Sequence, residues 1–130
     1  MNGRILVVDD EEIVIRSCLR IFADGRYEVE AVRSGAEALT KIGERDYDVV
    51  ILDIMMPKMD GLKVLEGIKK RRPGVEVIMV TGLSQTESAL RSRQLGAFDY
   101  LPKPFGPDEL KLVVEKALEK RRQQQEGRER

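Results

Sequence analysis

The sequence predicts an α/β sandwich, in which helices cover both faces of a parallel β-sheet. Short apolar runs alternate five times with helix-like segments, and such repeats join parallel strands through right-handed crossovers. Three of the runs are almost continuously apolar, as expected for central strands that are covered on both faces. The length of 130 residues suits one domain around one core.

Five segments are predicted as strands because each is short, largely apolar and bounded by polar or turn-forming residues. In chain order they are residues 5–8, 29–32, 49–52, 77–80 and 98–101. The second and fifth segments also contain a charged residue, so we expect them at the two edges of the sheet.

Two of the connecting segments carry the spacing of a capping box, in which two unpaired backbone donors of a helix start are satisfied. The pairs are Ser34 with Glu37, and Ser84 with Glu87. The helix from Ser84 to Leu95 has few apolar residues, so we expect it to be weakly held and a candidate for movement or partner binding. An ordinary solvent-facing helix fits its pattern as well.

Two further helices are marked at their first turns. Asp60 can cap a helix that begins near Gly61. Pro107 suits the first turn of the last helix, whose apolar face comprises Leu110, Val113, Val114, Ala117 and Leu118. No apolar face persists after Leu118, which predicts a helical extension, a tail or a linker.

The composition excludes several classes of function. The 23 basic residues balance 23 acidic ones, whereas a nucleic-acid-binding domain normally has a basic excess. No apolar run approaches the ~20 residues of a membrane span, and the first residues do not resemble a signal peptide. The single cysteine, Cys18, is predicted in the core and fits a reducing cytoplasm. Without histidine there is no Ser-His-Asp triad and no His-based zinc site.

Polar side chains follow four of the predicted strands, at the carboxyl ends where open α/β sheets bind ligands. Asp9 and Asp10 follow the first strand, Asp53 the third, Thr81 the fourth and Lys103 the fifth. If these strands are neighbours, three carboxylates, a hydroxyl and an ammonium converge at one edge. Each residue taken singly has a plainer interpretation as a helix cap, a turn residue or a surface lysine. Their joint placement favours a site.

The chemistry of this cluster points to a hard divalent cation. Two like charges 4 Å apart repel by ~4 kcal/mol at an effective dielectric constant near 20, and all-oxygen ligands suit Mg²⁺ or Mn²⁺. Mg²⁺ readily shares phosphate oxygens, so the cluster suits phosphoryl transfer to a carboxylate. Asp53 is then the nucleophile, Lys103 supplies positive charge to the phosphoryl oxygens, and Thr81 donates a hydrogen bond to them.

Four segments, in this order and spacing, resemble the signatures of response-regulator receiver domains. They are ILVVDDE at 5–11, LDIMMPKMDG at 52–61, VTG at 80–82 and YLPKPF at 100–105. The resemblance covers roughly residues 4–120. It implies a flavodoxin-like (βα)5 three-layer sandwich with a five-stranded parallel sheet of order 2-1-3-4-5. The receiver domain would span residues 1–122, and residues 123–130 would form a polar tail or the start of a linker.

The resemblance also implies roles for single residues. Asp53 would accept a phosphoryl group from a phosphohistidine on a partner kinase or phosphotransfer protein, or from a small phosphodonor. Asp10 and Asp53, together with the backbone carbonyl of Met55, would bind Mg²⁺ directly, and Asp9 would act through a water. Lys103 would pair with the phosphoryl group.

A conformational switch is implied as well. Thr81 would move to bind the phosphoryl group, and Tyr100 would swing inward behind it. The face made by the fourth helix, the fifth strand and the fifth helix would change shape. The Lys103–Pro104 peptide bond would be cis, which is rare outside proline.

The resemblance places Met55 and Leu83 beside the path of the hydrolytic water, two residues beyond Asp53 and Thr81. Both side chains are apolar in this sequence. Since neither can orient a water by hydrogen bonding, we predict slow loss of the phosphoryl group.

Three alternative functions are open. A phosphatase with an aspartyl nucleophile after its first strand would resemble a pattern with a second Asp two residues later, where this chain has Glu11. A flavodoxin-like cofactor carrier would need a phosphate loop, but the acidic residues 9–12 repel a phosphate that lacks a metal. A degenerate receiver would bind partners without phosphorylation, and the complete Asp, Thr and Lys set argues against it.

The partners that the resemblance implies are a sensor histidine kinase or phosphotransfer protein and a downstream effector. The domain would regulate rather than turn over a substrate. It would bind neither nucleic acid nor a membrane directly. The face that changes shape is also a candidate surface for a homodimer.

Overall fold

The computed structural model describes residues 3–56, 59–82 and 86–129. In these ranges the strands are β1 (Gly3–Val8), β2 (Tyr27–Val32), β3 (Val49–Asp53), β4 (Met55–Met56), β5 (Met59–Asp60), β6 (Glu76–Thr81) and β7 (Asp99–Pro102). The helices are α1 (Glu12–Ile21), α2 (Gly35–Glu44), α3 (Gly61–Arg71), α4 (Thr86–Gln94) and α5 (Pro107–Glu129).

Five of the strands form one parallel sheet in the order β2-β1-β3-β6-β7. Counted among themselves these strands have the order 2-1-3-4-5, which confirms the expected fold. The second and fifth predicted strands, β2 and β7, lie at the edges as expected. The sequence did not predict β4 and β5, which pair in a separate antiparallel hairpin of two residues each.

Two apolar cores separate the sheet from its helical layers. Alternate residues of β1 show the arrangement: Ile5 and Val7 pack with α1 and α5, whereas Leu6 and Val8 pack with α2 and α3. Successive strand residues point to opposite faces, so a continuously apolar strand supplies both cores. Cys18 is fully buried in the α1 side of this packing, as the sequence predicted.

The predicted helix starts are found with one difference in detail. The Ser34 hydroxyl accepts a hydrogen bond from the Glu37 amide at 3.2 Å, but it also donates to the Glu37 carboxylate at 3.1 Å. The return contact of this capping box is therefore between side chains. Asp60 accepts from the Leu62 amide at 2.9 Å and caps α3 as predicted. The predicted cap at Ser84 lies outside the described residues.

The last helix continues well past its apolar face. Leu110, Val114, Ala117 and Leu118 are buried, and the chain remains helical to Glu129. A buried arginine, Arg121, extends the contact with the rest of the domain. Its guanidinium donates to Asp48 at 2.8 Å, to Asp46 at 3.0 Å and to the Gly74 carbonyl at 2.7 Å.

The sparse apolar pattern of the fourth helix is matched by its packing. Among the α4 side chains that the structure describes, only Ser92 is buried, and Leu90 is 58% exposed. α4 is therefore held by little buried surface. Within the described ranges, no helix is both long and apolar enough to cross a membrane.

Gly61 lies where α3 begins against the end of β3, and a side chain does not fit there. A Cβ atom at this position would lie 2.4 Å from the Asp53 carbonyl oxygen and 2.5 Å from Ile54 Cα. We expect Gly61→Ala to lower the free energy of unfolding by about 1–3 kcal/mol, because the backbone must shift. Urea denaturation measures the change.

Gly43, inside α2, provides a matched control. A Cβ atom there would meet no atom of the described residues within 4 Å. Gly43→Ala is expected to stabilise the protein by about 0.5–1 kcal/mol through helix propensity. Equal effects of the two substitutions would contradict the packing argument.

Burial of Cys18 gives the stability a specific pH dependence. Burial, with the nearby Asp9 carboxylate, raises the pKa of this thiol from 9.0 to about 12. The thiol therefore loses its proton at lower pH in the unfolded chain than in the folded one. Its contribution to the free energy of unfolding is fully present below pH 9.0 and is lost as the pH rises towards about 12. Each pH unit in this interval costs about 1.4 kcal/mol.

Cys18→Ala removes this titration. The difference in free energy of unfolding between wild type and the variant is expected to narrow steadily as urea denaturation is repeated from pH 8 upward. Other alkaline titrations, such as that of Tyr47, are common to both proteins and cancel. A constant difference would show that the thiol is not held in its protonated form.

Candidate functional site

The sheet order brings together the strand ends that the sequence singled out. The four strands run in parallel and are neighbours in the order β1, β3, β6 and β7, so their carboxyl ends lie side by side at one end of the sheet. Asp9 directly follows β1, Asp53 ends β3, Thr81 ends β6, and Lys103 directly follows β7. The structure thus places these predicted residues at a single site.

Backbone hydrogen bonds continue past the strands and fix these residues. The Asp9 amide donates to the Val32 carbonyl at 3.2 Å, and the Lys103 amide donates to the Thr81 carbonyl at 2.7 Å. The main chain at both positions therefore belongs to the sheet. The backbone next to Asp53 is fixed as well, because the Gly61 amide donates to the carbonyl of Ile54, the residue after Asp53, at 2.9 Å.

The Lys103 ammonium is the centre of the charge arrangement. Its Nζ lies 2.9 Å from Asp9 Oδ2, 2.9 Å from Glu11 Oε1 and 3.3 Å from Asp53 Oδ2. The contact with Asp9 is an ion pair whose angles do not suit a hydrogen bond. Burial lowers the pKa of Lys103, but the hydrogen bond to Glu11 and the attraction of the nearby Asp9 carboxylate outweigh burial and raise the pKa overall. Lys103 is therefore firmly charged.

Asp53 is a buried carboxylate with partial compensation. Its side chain is 2% exposed, and Oδ1 accepts a hydrogen bond from the Met55 amide at 3.1 Å. Burial raises the pKa of Asp53, and repulsion from Asp9 raises it further. Lys103 and the Met55 amide oppose these effects without cancelling them. An added positive charge at this position would therefore stabilise the ionised carboxylate.

The acidic side chains fit a divalent cation. Oxygens of Asp9, Asp10 and Asp53 all lie within 4.8 Å of one another. Asp9 Oδ1 accepts the Glu11 amide at 2.9 Å, while the buried Oδ2 accepts no hydrogen bond. A buried carboxylate oxygen that is held by an ion pair with Lys103, beside two further carboxylates, belongs to a donor set that Mg²⁺ and Mn²⁺ favour.

The remaining predicted residues occupy different surroundings. Thr81 is fully buried beside the end of β3, and Tyr100 is half-buried against the core that α2 and α3 cover. The Lys103–Pro104 peptide bond is cis, which confirms that expectation. The Met55 side chain is 57% exposed, and Leu83 lies outside the described residues.

An apolar groove of about 550 Å³ opens beside the cluster. It runs between α1 and the segment that leads from β7 into α5. Apolar side chains dominate its lining, among them Ile13, Val14, Ile21 and Phe105, and Glu11 and Lys103 form the end next to the site. Ile13 is 73% exposed.

The sequence did not predict the contact between Glu11 and Lys103. These residues are 92 positions apart, and no local sequence pattern links them. The signal that could have found the contact is the placement of Glu11 directly after two strand-end acids. Once the first and last strands of the site are brought to one edge, a long carboxylate there reaches the lysine.

Comparisons with known proteins agree on one family. The model of the response regulator receiver domain matches residues 5–115. The DNA-binding transcriptional regulator NtrC of Escherichia coli K12 is 40% identical over 127 residues. The match covers 98% of this chain but only 27% of NtrC.

Solved structures give the same result. A CheY-like receiver domain protein from Methanospirillum hungatei JF-1 superposes with a TM-score of 0.89 at 35% identity, over 93% of this chain and 97% of that one. The BeF3-activated DrrB receiver domain gives a TM-score of 0.84 at 34% identity, over 92% and 99% of the two chains. The chain belongs to the response-regulator receiver domain family.

Proposed function

We propose that this receiver domain is a signalling switch in which Asp53 accepts a phosphoryl group. The donor is a phosphohistidine of a sensor kinase or phosphotransfer protein, or a small phosphodonor. The observation that carries the proposal is the Asp53 carboxylate itself. It is buried, lies 3.3 Å from the Lys103 ammonium, and shares its surroundings with two further carboxylates.

The transfer requires little from the protein beyond position and charge. A bond forms between an Asp53 oxygen and phosphorus, and the bond from phosphorus to the donor atom breaks. Its electron pair remains on that atom, which is the imidazole nitrogen of a phosphohistidine or the acyl oxygen of acetyl phosphate. No base is needed, because the nucleophile is an ionised carboxylate. Lys103 neutralises charge on the phosphoryl oxygens, and the Thr81 hydroxyl donates a hydrogen bond to them.

A divalent cation completes the site in this proposal. Asp10, Asp53 and the Met55 carbonyl would bind it directly, and Asp9 would hold it through a water. Mg²⁺ bound there would neutralise the charge that gathers when a phosphoryl group approaches three carboxylates. The convergence of Asp9, Asp10 and Asp53 oxygens within 4.8 Å of one another and the raised pKa of Asp53 support this assignment.

The groove beside the site supports a protein as the phosphodonor. A phosphohistidine must come within bonding distance of Asp53, so its protein has to rest on the surface around the cluster. The groove offers exposed apolar surface there, led by Ile13 on α1 and Phe105 before α5. An amphipathic helix of the donor, with its phosphohistidine at the Lys103 end, fits this surface.

The response to phosphorylation is proposed for the face of α4, β7 and α5. Thr81 moves towards the phosphoryl group, and Tyr100 turns inward. Moving an equilibrium from 1:99 to 99:1 takes ~5.5 kcal/mol, and charge-assisted contacts from Lys103 and Thr81 are of about this size. The small buried surface of α4 supports the choice of the moving element. Exposed Leu90 and Leu112 give this face an apolar surface for an effector or a second copy.

The boundaries of the switch follow from its last anchored residue. We place the receiver domain at residues 1–122, one position past Arg121, and the polar tail or start of a linker at 123–130. The domain regulates a partner and has no substrate of its own. It works in the cytoplasm, where the lone Cys18 thiol is kept reduced.

Phosphorylation of Asp53 is tested with radiolabelled acetyl phosphate and Mg²⁺. The wild-type protein is expected to take up one acid-stable, base-labile phosphoryl group, and Asp53→Asn to take up none. EDTA is expected to suppress the labelling of wild type. Asp24→Asn, which removes a carboxylate from the loop between α1 and β2, is the control and should be labelled normally. Normal labelling of Asp53→Asn would overturn the assignment.

Beryllofluoride with Mg²⁺, which imitates the phosphoryl group, tests the response separately. Amide chemical shifts between Thr81 and Tyr100 are expected to change in wild type but not in Asp53→Ala. If wild type takes up the radioactive phosphoryl group but shows no such shift changes, Asp53 remains the acceptor and the proposed movement is excluded.

The lifetime of the phosphoryl group is expected to be long, because Met55 and Leu83 cannot orient water. Changing both residues to Gln is predicted to shorten the half-life several-fold, since an amide can hold the attacking water. Loss of label is followed after the donor is removed. Leu19→Gln, on an exposed position of α1, is the matched control. An unchanged half-life in the double variant would exclude this explanation.

A further inference from the structure

We propose that Glu11 is a positioning residue that holds the Lys103 ammonium while Asp53 carries no phosphoryl group. The proposal rests on the proposed function and adds a regulatory contact to it. Glu11 competes with the phosphoryl group for Lys103, and so favours the unphosphorylated state.

The distances show where Lys103 is held. Its Nζ donates to Glu11 Oε1 at 2.9 Å, whereas Asp53 Oδ2 is 3.3 Å away. The Glu11 side chain is 55% exposed and that of Asp53 is 2% exposed. The shorter of these two hydrogen bonds therefore runs to the solvent side of the site, at the end of the groove, while the ion pair with Asp9, also at 2.9 Å, lies on the buried side.

The backbone of Glu11 is fixed, so its carboxylate is available at a defined place. The Glu11 amide donates to Asp9 Oδ1 at 2.9 Å, and its carbonyl accepts the first hydrogen bonds of α1, from the amides of Val14 and Ile15. A single side chain then bridges from the start of α1 to the residue after β7. This tie joins the two walls of the groove.

Competition follows from the number of acceptors around one ammonium. Lys103 has three N–H donors, and three carboxylates already surround them. A phosphoryl group on Asp53 adds strong acceptor oxygens on the buried side. Lys103 must then turn from Glu11 towards them. Removing the Glu11 charge removes this competing partner.

Glu12 is a charge-matched neighbour with different partners. Its carboxylate forms ion pairs with Arg16 and Arg33. Glu11→Gln and Glu12→Gln each remove one negative charge from the same end of α1. Only the first removes a negative charge that lies against Lys103, so a comparison of the two separates a specific contact from general electrostatics.

The first experiment measures the apparent affinity for beryllofluoride at saturating Mg²⁺ by NMR titration. Glu11→Gln is expected to bind about two- to fivefold more tightly than wild type, the effect of losing one exposed ion pair. Glu12→Gln is expected to bind as wild type. Equal affinities of the two variants, with normal binding by wild type, would overturn the role of Glu11 and leave the proposed function standing. A wild-type protein that binds no beryllofluoride and takes up no phosphoryl group would overturn both.

The second experiment needs no phosphoryl analogue. A double-mutant cycle of Glu11→Gln with Lys103→Met is measured by urea denaturation in EDTA. The pair is expected to couple by about two- to fivefold in the unfolding equilibrium constant, and Glu12→Gln with Lys103→Met to show no coupling. Absence of coupling in the first pair would show that Glu11 does not hold Lys103.

Discussion

The contact of the Lys103 ammonium with the carboxylates of Asp9 and Asp53 is the constraint on which this edge of the sheet depends. Like charges so close together repel strongly in a buried setting, and Lys103 provides the compensating charge at 2.9 Å and 3.3 Å. It can do so only because β1, β3, β6 and β7 are neighbours in a parallel sheet, which places their carboxyl ends side by side at the same end of the sheet. The parallel topology thus turns separate acidic residues into one electrostatic unit.

Rigid and loosely held parts are distributed unequally around this unit. Asp53 sits at the end of a fully buried strand, and α3 begins so close behind it that position 61 has no room for a Cβ atom. On the other side of Thr81, α4 contributes few buried side chains. Phosphoryl transfer requires the rigid surroundings of Asp53, since reacting groups must be held in place. A response requires the loosely held α4, since only an element of low local stability changes position readily.

The sequence predicted the sheet and most of the site because both follow from local patterns. Apolar runs located all five sheet strands, and their carboxyl ends located Asp9, Asp53, Thr81 and Lys103 together. The β4–β5 hairpin was missed because strands of two residues have no periodicity. Buried polar contacts between distant positions were missed as well. Arg121 reads as a surface residue in a basic run until Asp46 and Asp48 surround it.

The contacts of Arg121 fix the direction of α5 relative to the sheet. The helix has 23 residues and is about 34 Å long. Arg121 binds it to three oxygens in the turns that precede β3 and β6. Those strands carry Asp53 and Thr81 at their opposite ends. The direction of α5 at Arg121 is therefore set by the turns that lead into the two strands of the site.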